Sequence, residues 1–149
     1  MEVHVNLDSS LIPINPGSVQ ALANDFISFH NLSFDEVSIC FVDTKTICTL
    51  HDQFFDDPST TDCISFPMDD AEDEGYKVMG EIFVCPETAV NYIQQQKGDL
   101  YEEVTLYVVH GLLHLIGFDD IEDTDREKMR AEEVRYLKHV DTENLWILS

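Results

Sequence analysis

The segment Leu100–Ile116, LYEEVTLYVVHGLLHLI, constrains the fold more than any other stretch of the chain. Its apolar residues go round nearly every face of the helix they would form. Such a helix belongs in the middle of a fold rather than on its surface. Yet its last turns carry two histidines, His110 and His114, four residues apart. At about 100° per residue they stand roughly 40° apart round the axis, so both rings can converge on one point. That is the spacing at which two imidazoles reach one metal ion at about 2 Å. Gly117 follows, where a helix can end on a left-handed residue without steric cost and the chain can turn back. An aspartate beyond the turn then meets the same ion from a second direction. Asp119 and Asp120 compete for that place. We assign it to Asp120 and expect Asp119 to cap the next helix or orient a ligand imidazole.

Residues 110–120 thus read H-x-x-x-H-x-x-G-x-x-D. Two nitrogens and one carboxylate oxygen leave a fourth position open for water. The set suits one zinc ion per chain; nickel, or more weakly manganese, would also be held. Gly111 occupies the place where HExxH peptidases carry a glutamate base, which argues against a peptidase. A residue without a side chain there is expected to let substrate approach the helix. His4, His30, His51 and His139 have no such partners in sequence and read as ordinary histidines.

The rest of the chain supplies layers for that helix. Val3–Leu7 alternates and predicts a strand. INPGSVQALANDFISFHNL opens on Pro and Gly, then places Val19, Leu22, Ala23, Phe26 and Ile27 at helical spacing. Val37–Asp43 and Asp62–Met68 read as strands, as does VMGEIFVC. TKTICTLHDQFF predicts a helix with Thr44 as its cap and Ile47, Leu50 and Phe54 on one face. Asp69–Glu74 is an acidic hairpin loop that repulsion holds in water. PETAVNYIQQQ starts a helix at Pro86. REKMRAEEVRYLKHV is an amphipathic helix with Met129, Glu133 and Tyr136 on one face. The order β-α-β-α-β-β-α-α-α predicts an α+β fold: a small mixed sheet of about four strands packed with several helices, its metal site at the end of a central helix. The length suits a single domain over residues 1–149.

Charge limits the partners. The chain holds 8 Lys+Arg against 30 Asp+Glu, a formal net charge of −22. That field repels bare phosphate backbones and anionic membranes at long range and predicts weak affinity for naked RNA. No apolar run is long enough to span a bilayer, and the N-terminal residues lack the pattern of a secretory signal. Cys40, Cys48, Cys63 and Cys85 share no CxxC spacing and read as reduced, mostly buried thiols of a cytoplasmic protein.

Three segments together carry a family resemblance. His110–Asp120, HGLLHLIGFDD, is similar to the H-G-x-L-H-L-x-G-[YF]-D-H run of the YbeY endoribonucleases, the ribosomal RNA maturation factors. Thr61–Pro67, TDCISFP, resembles that family's T-D-V-L-S-F-P block. Gly80–Val84, GEIFV, resembles its G-D-I-x-I strand. DREKMRAEE looks like its C-terminal helix. The resemblance implies an α+β metalloprotein with a three-ligand zinc site. It implies cleavage of single-stranded RNA, processing of the small-subunit ribosomal RNA and ribosome quality control, with the ribosome or a ribosomal protein as partner and neither DNA nor membrane. Two positions depart from the family pattern. Asp120 stands where the family has a third histidine, and Phe55 stands where the family has an arginine attributed to phosphate or charge stabilisation.

The expected site is therefore His110, His114 and Asp120 on the metal. His114 serves the reaction as well, and Ser65 and Asp62 orient water or substrate. The rival expectation is a ribosome-associated assembly factor, in which the metal is structural and nuclease activity is slight or absent.

Overall fold

The computed structural model describes residues 1–8 and 12–149. Among the described residues nine elements follow in the expected order. They are β1 (Glu2–Leu7), α1 (Pro16–Phe29), β2 (Glu36–Phe41), α2 (Thr44–Phe55), β3 (Cys63–Pro67), β4 (Val78–Val84), α3 (Pro86–Gln96), α4 (Leu100–Leu115) and α5 (Asp123–Glu143). The strands form one sheet in the order β1-β2-β4-β3. β1, β2 and β4 run parallel, and β3 returns antiparallel along β4. The sheet is thus mixed and the fold α+β.

The acidic loop closes the β3–β4 hairpin through its own backbone. Asp69 Oδ2 accepts from the Val78 amide at 2.8 Å, and Asp73 Oδ2 accepts from that of Asp70 at 2.9 Å. Lys77 Nζ donates to the Ala71 carbonyl at 2.7 Å. These carboxylates are hydrogen-bond acceptors of a turn.

The sheet has two differently filled faces, because successive side chains alternate. Val37, Ile39 and Phe41 of β2 join the main core with α1, α4 and α5. Cys40 and Val42, with Ile64 and Cys85, form a smaller cluster under Ile47 of α2. In β3 the alternation turns Ile64 and Phe66 toward α2 and leaves Cys63 and Ser65 facing α4.

α4 lies against β3 and β4, with α3 and α5 on its other flanks. Val104, Thr105, Tyr107, Val108, Val109, Gly111, Leu112, Leu113 and Leu115 are all buried. Each fully buried leucine there stabilises the fold by about 1.5–3 kcal/mol. Asp99 caps the helix start, accepting from the Tyr101 and Glu102 amides. Gly111 differs from its sequence-based expectation. A Cβ on it would lie 2.7 Å from Ile82 Cγ2 and 2.8 Å from Cys63 Sγ. Its missing side chain seats the helix on the sheet and does not open the helix to a substrate.

The α2 expectations need two corrections. The cap is Asp43, whose side chain accepts from the Thr46 amide at 2.8 Å. Thr44 instead donates through both its amide and its hydroxyl to Glu87 of α3. Phe54 is exposed rather than buried beside Ile47, and its ring meets Phe66 edge-on. The four cysteines are free thiols, two of them buried. No helix among the described residues is long and apolar enough to cross a membrane.

Candidate metal centre

The end of α4 is built to bring the chain back onto its own last turn. Gly117 adopts φ +108°, the left-handed region where a Cβ is strained. The Gly117 amide then donates to the His114 carbonyl at 3.1 Å, and the Phe118 amide to the Leu113 carbonyl at 3.0 Å. These two bonds make a Schellman cap. The reversal also sets the Phe118 carbonyl against the His114 ring, where Nδ1 donates to it at 3.0 Å. A carbonyl can only accept, so His114 Nδ1 holds the proton and Nε2 presents its lone pair.

The following turn delivers the third group. Asp119 Oδ1 accepts from the amides of Asp120 and Ile121 at 2.7 and 3.2 Å. Arg126 donates to the carbonyls of the same two residues, each at 3.2 Å. Asp119 therefore fixes the backbone of the turn; it neither caps α5, whose N-cap is Glu122, nor touches a ligand imidazole.

The result is a triangle of acceptor atoms. His110 Nε2 and His114 Nε2 are 3.1 Å apart, and Asp120 Oδ2 lies 3.4 and 3.5 Å from them. An ion held tetrahedrally at about 2.0–2.1 Å spaces its ligand atoms about 3.3–3.4 Å apart. All three edges match that spacing within a few tenths of an ångström. Two imidazole nitrogens and a carboxylate facing one point would otherwise repel one another, and a shared cation removes the conflict. Two imidazoles and one carboxylate, all half-buried, form a donor set that fits zinc.

Behind this triangle stands Glu133 of α5. Its Oε2 faces His110 Nδ1 at 3.5 Å, and its side chain is mostly buried. Burial pulls the proton affinity of His110 down, but the hydrogen bond and charge of Glu133, with the charges of Asp62 and Asp120, outweigh it and hold it above that of an ordinary imidazole. Each histidine thus has an acceptor on Nδ1, Glu133 for His110 and the Phe118 carbonyl for His114, which orients Nε2 toward the shared point.

In front of the triangle opens a cleft of about 530 Å³. Asp62 and Ser65 line it beside the three ligands, and so do His51 and Phe55 at the end of α2. Ser65 Oγ donates to the Gly111 carbonyl at 3.4 Å, which holds it against α4. Asp62 anchors its own strand end, its carbonyl accepting from the Cys85 amide at 3.0 Å. Cys63 stands beside Ser65, and burial pushes its thiol up, so it stays neutral.

Residues 6–141 match the family model described as Endoribonuclease YbeY. The chain belongs to the YbeY family. It is 49% identical over 130 residues to an "Endoribonuclease YbeY" of Protochlamydia amoebophila, covering 87% of each chain. It is 35% identical over 141 residues to the "Endoribonuclease YbeY" of Chlamydia pneumoniae, covering 92% of this chain and 89% of that one. Its fold superposes on the solution structure of TM1509 from Thermotoga maritima with a TM-score of 0.65. That match has 23% identity and covers 95% of this chain and 90% of the other.

Within this YbeY chain the structure gathers every residue singled out from sequence: His110, His114, Asp120, Ser65 and Asp62 face one cleft. It adds two to which the sequence assigned no part in the site. His51, read from sequence as an ordinary histidine, lines the cleft, and nothing near it in sequence marks it. Glu133 carried a faint signal, since it shares a helical face with the buried Met129 and Tyr136, where a carboxylate needs a partner. Replacing Glu133 by alanine is expected to weaken zinc binding about 10- to 100-fold without unfolding the chain. Competition against a chromophoric chelator measures this, and an unchanged affinity would remove Glu133 from the metal site.

Proposed function

We propose that this chain, as one domain over residues 1–149, is a metal-dependent endoribonuclease of the cytoplasm. In this reading it cuts single-stranded RNA, serves the maturation of small-subunit ribosomal RNA and takes part in ribosome quality control. The observation that carries the reading is the triangle of His110 Nε2, His114 Nε2 and Asp120 Oδ2, with edges of 3.1–3.5 Å, opening on a cleft. The printed name of its relatives, Endoribonuclease YbeY, supports the choice of RNA as substrate.

His110, His114 and Asp120 would hold the ion, which we take to be one Zn²⁺ per chain. When bound, it supplies Lewis acidity at a phosphodiester oxygen and lowers the pKa of water. The chain's own residues orient the reactants. Ser65 gives its proton to the Gly111 carbonyl and so offers only lone pairs to the cleft. The Asp62 carboxylate likewise accepts. Both therefore bind a hydroxyl by its hydrogen and aim its oxygen, and Asp62 can take the proton as the oxygen attacks.

The charge of −22 requires help in bringing RNA to the cleft. A ribosomal protein or the ribosome itself offers it, and neither DNA nor membrane suits such a surface. One observation favours a second reading, that of an assembly factor with a structural metal: no lysine or arginine lines the cleft among the described residues. Chelation decides between them. The zinc-loaded protein is expected to cut single-stranded RNA and spare duplex, to lose cleavage when stripped, and to regain it with one equivalent of zinc. Cleavage that survives complete stripping overturns the metal reading. Tightly bound zinc without cleavage establishes the second.

A further inference from the structure

Two rings at the end of α2, His51 and Phe55, line the same cleft as the ligands, and their geometry is that of a platform. α2 ends at Phe55, and Asp56 at φ 54° turns the chain away. His51 and Phe55 are four residues apart, hence neighbours on one helix face, with ring centroids 5.6 Å apart. Phe55 is 56% exposed and belongs to neither core cluster. Among the described residues it meets no aromatic ring but His51. Phe54 beside it is exposed too, but rests against Phe66 with centroids 4.9 Å apart. The platform is also held in place. His51 Nδ1 donates to the Ser59 carbonyl at 2.8 Å, and Asp57 Oδ1 fixes Ser59 by its amide and hydroxyl at 2.9 and 2.6 Å.

Charge says what such a platform can recognise. The cleft is lined by Asp62, Asp119 and Asp120 and by no lysine or arginine among the described residues. A phosphate finds no side-chain cation there. A nucleobase offers a neutral π-face that these carboxylates do not repel. In a duplex both faces of a base are already stacked, so only an unpaired base can use the platform.

We infer that Phe55, backed by His51, is a base-stacking platform that seats an unpaired nucleobase of RNA beside the candidate metal centre and makes the protein selective for single strands. The inference rests on the nuclease reading for the reaction, but its binding step is measurable without cleavage.

The test uses the full zinc-loaded chain and a short single-stranded RNA containing 2-aminopurine, whose fluorescence is quenched on stacking. Phe55→Leu keeps the apolar bulk and loses the ring; Phe55→Trp keeps a ring; Phe55→Ala loses both. Wild type and Phe55→Trp are expected to bind and quench. Phe55→Leu and Phe55→Ala are expected to lose the quench and to raise Kd and KM by about five- to 150-fold, the equivalent of one stacked base, with kcat nearly unchanged. An abasic substrate should lose the same factor with wild type and nothing further with Phe55→Ala. Phe55→Leu binding and quenching like wild type overturns the inference and turns the patch into an apolar contact for a protein. Cleavage with a KM indifferent to Phe55 overturns it as well, while the nuclease reading stands. Phe55-dependent quenching without any cleavage leaves the platform standing and overturns the nuclease. A wild type that neither binds nor quenches overturns the platform outright.

Discussion

Replacing His114 by alanine is expected to abolish zinc binding and to lower RNA cleavage about a thousand-fold or more. Lewis-acid stabilisation of phosphoryl transfer is worth several kcal/mol, and each 1.36 kcal/mol is a factor of ten in rate. His114 supplies one of the three donor atoms, and two of three do not hold an ion that needs all of them. The fold should survive. His114 is a partly exposed position on a helix otherwise anchored by nine buried residues. Its loss removes the hydrogen bond to the carbonyl of Phe118, itself only partly buried. Asp120→Ala should do the same at still lower cost, because its turn is clamped independently by Asp119 and Arg126. Asp120→His is the informative partner. A third imidazole is a competent donor, so zinc should return while the site loses one negative charge. Elemental analysis after dialysis reads occupancy. Thermal unfolding gives a second readout, since a ligand that binds only the native state raises Tm with its concentration. Zinc should raise the Tm of wild type and of Asp120→His but not of His114→Ala. Wild-type zinc content in His114→Ala would end the three-ligand account.

Much of this site was legible because it is local. His110, His114, Gly117 and Asp120 lie within eleven residues, and helical periodicity with one left-handed residue places all four. The order of the nine elements was legible for the same reason: period two and period 3.6 are properties of short windows. What escaped depends on residues far apart in sequence. Thr44 and Asp43 are both good caps, and the choice falls to Asp43 because Glu87, forty-three residues on, engages Thr44. Gly111 looked like an opening for substrate, and its real constraint comes from Ile82 and Cys63 on two different strands. Glu133 meets His110 only because α5 packs across α4. Phe54 fits the apolar face of α2 by periodicity, yet that face outruns the small cluster beneath it, which ends near Leu50.

The second large effect concerns Gly80, and it ties the sheet to the metal centre. Gly80→Ala is expected to destabilise the protein by about 3–5 kcal/mol, lowering Tm by roughly 10 °C or more. Gly80 sits in β4 at φ +147° opposite Pro67 of β3. A Cβ there would lie 2.4 Å from the Phe66 carbonyl oxygen and 2.8 Å from Leu115 Cδ2. The carbonyl belongs to the β3–β4 ladder, so it cannot withdraw without breaking strand pairing. Leu115 is 4% exposed and adjoins His114, so pushing it aside tilts the end of α4 that carries the ligands. Stability and zinc affinity should therefore fall together. Gly75→Ala separates the two causes. Gly75 is also left-handed, at φ +82°, but nothing lies within 4 Å of where its Cβ would stand. It should cost only the backbone strain, on the order of 1 kcal/mol, and leave zinc binding alone. Circular dichroism melts of the zinc-free proteins measure the difference. Equal losses in the two variants would mean that φ alone sets the penalty, and that Leu115 does not transmit strain from the sheet to the histidines.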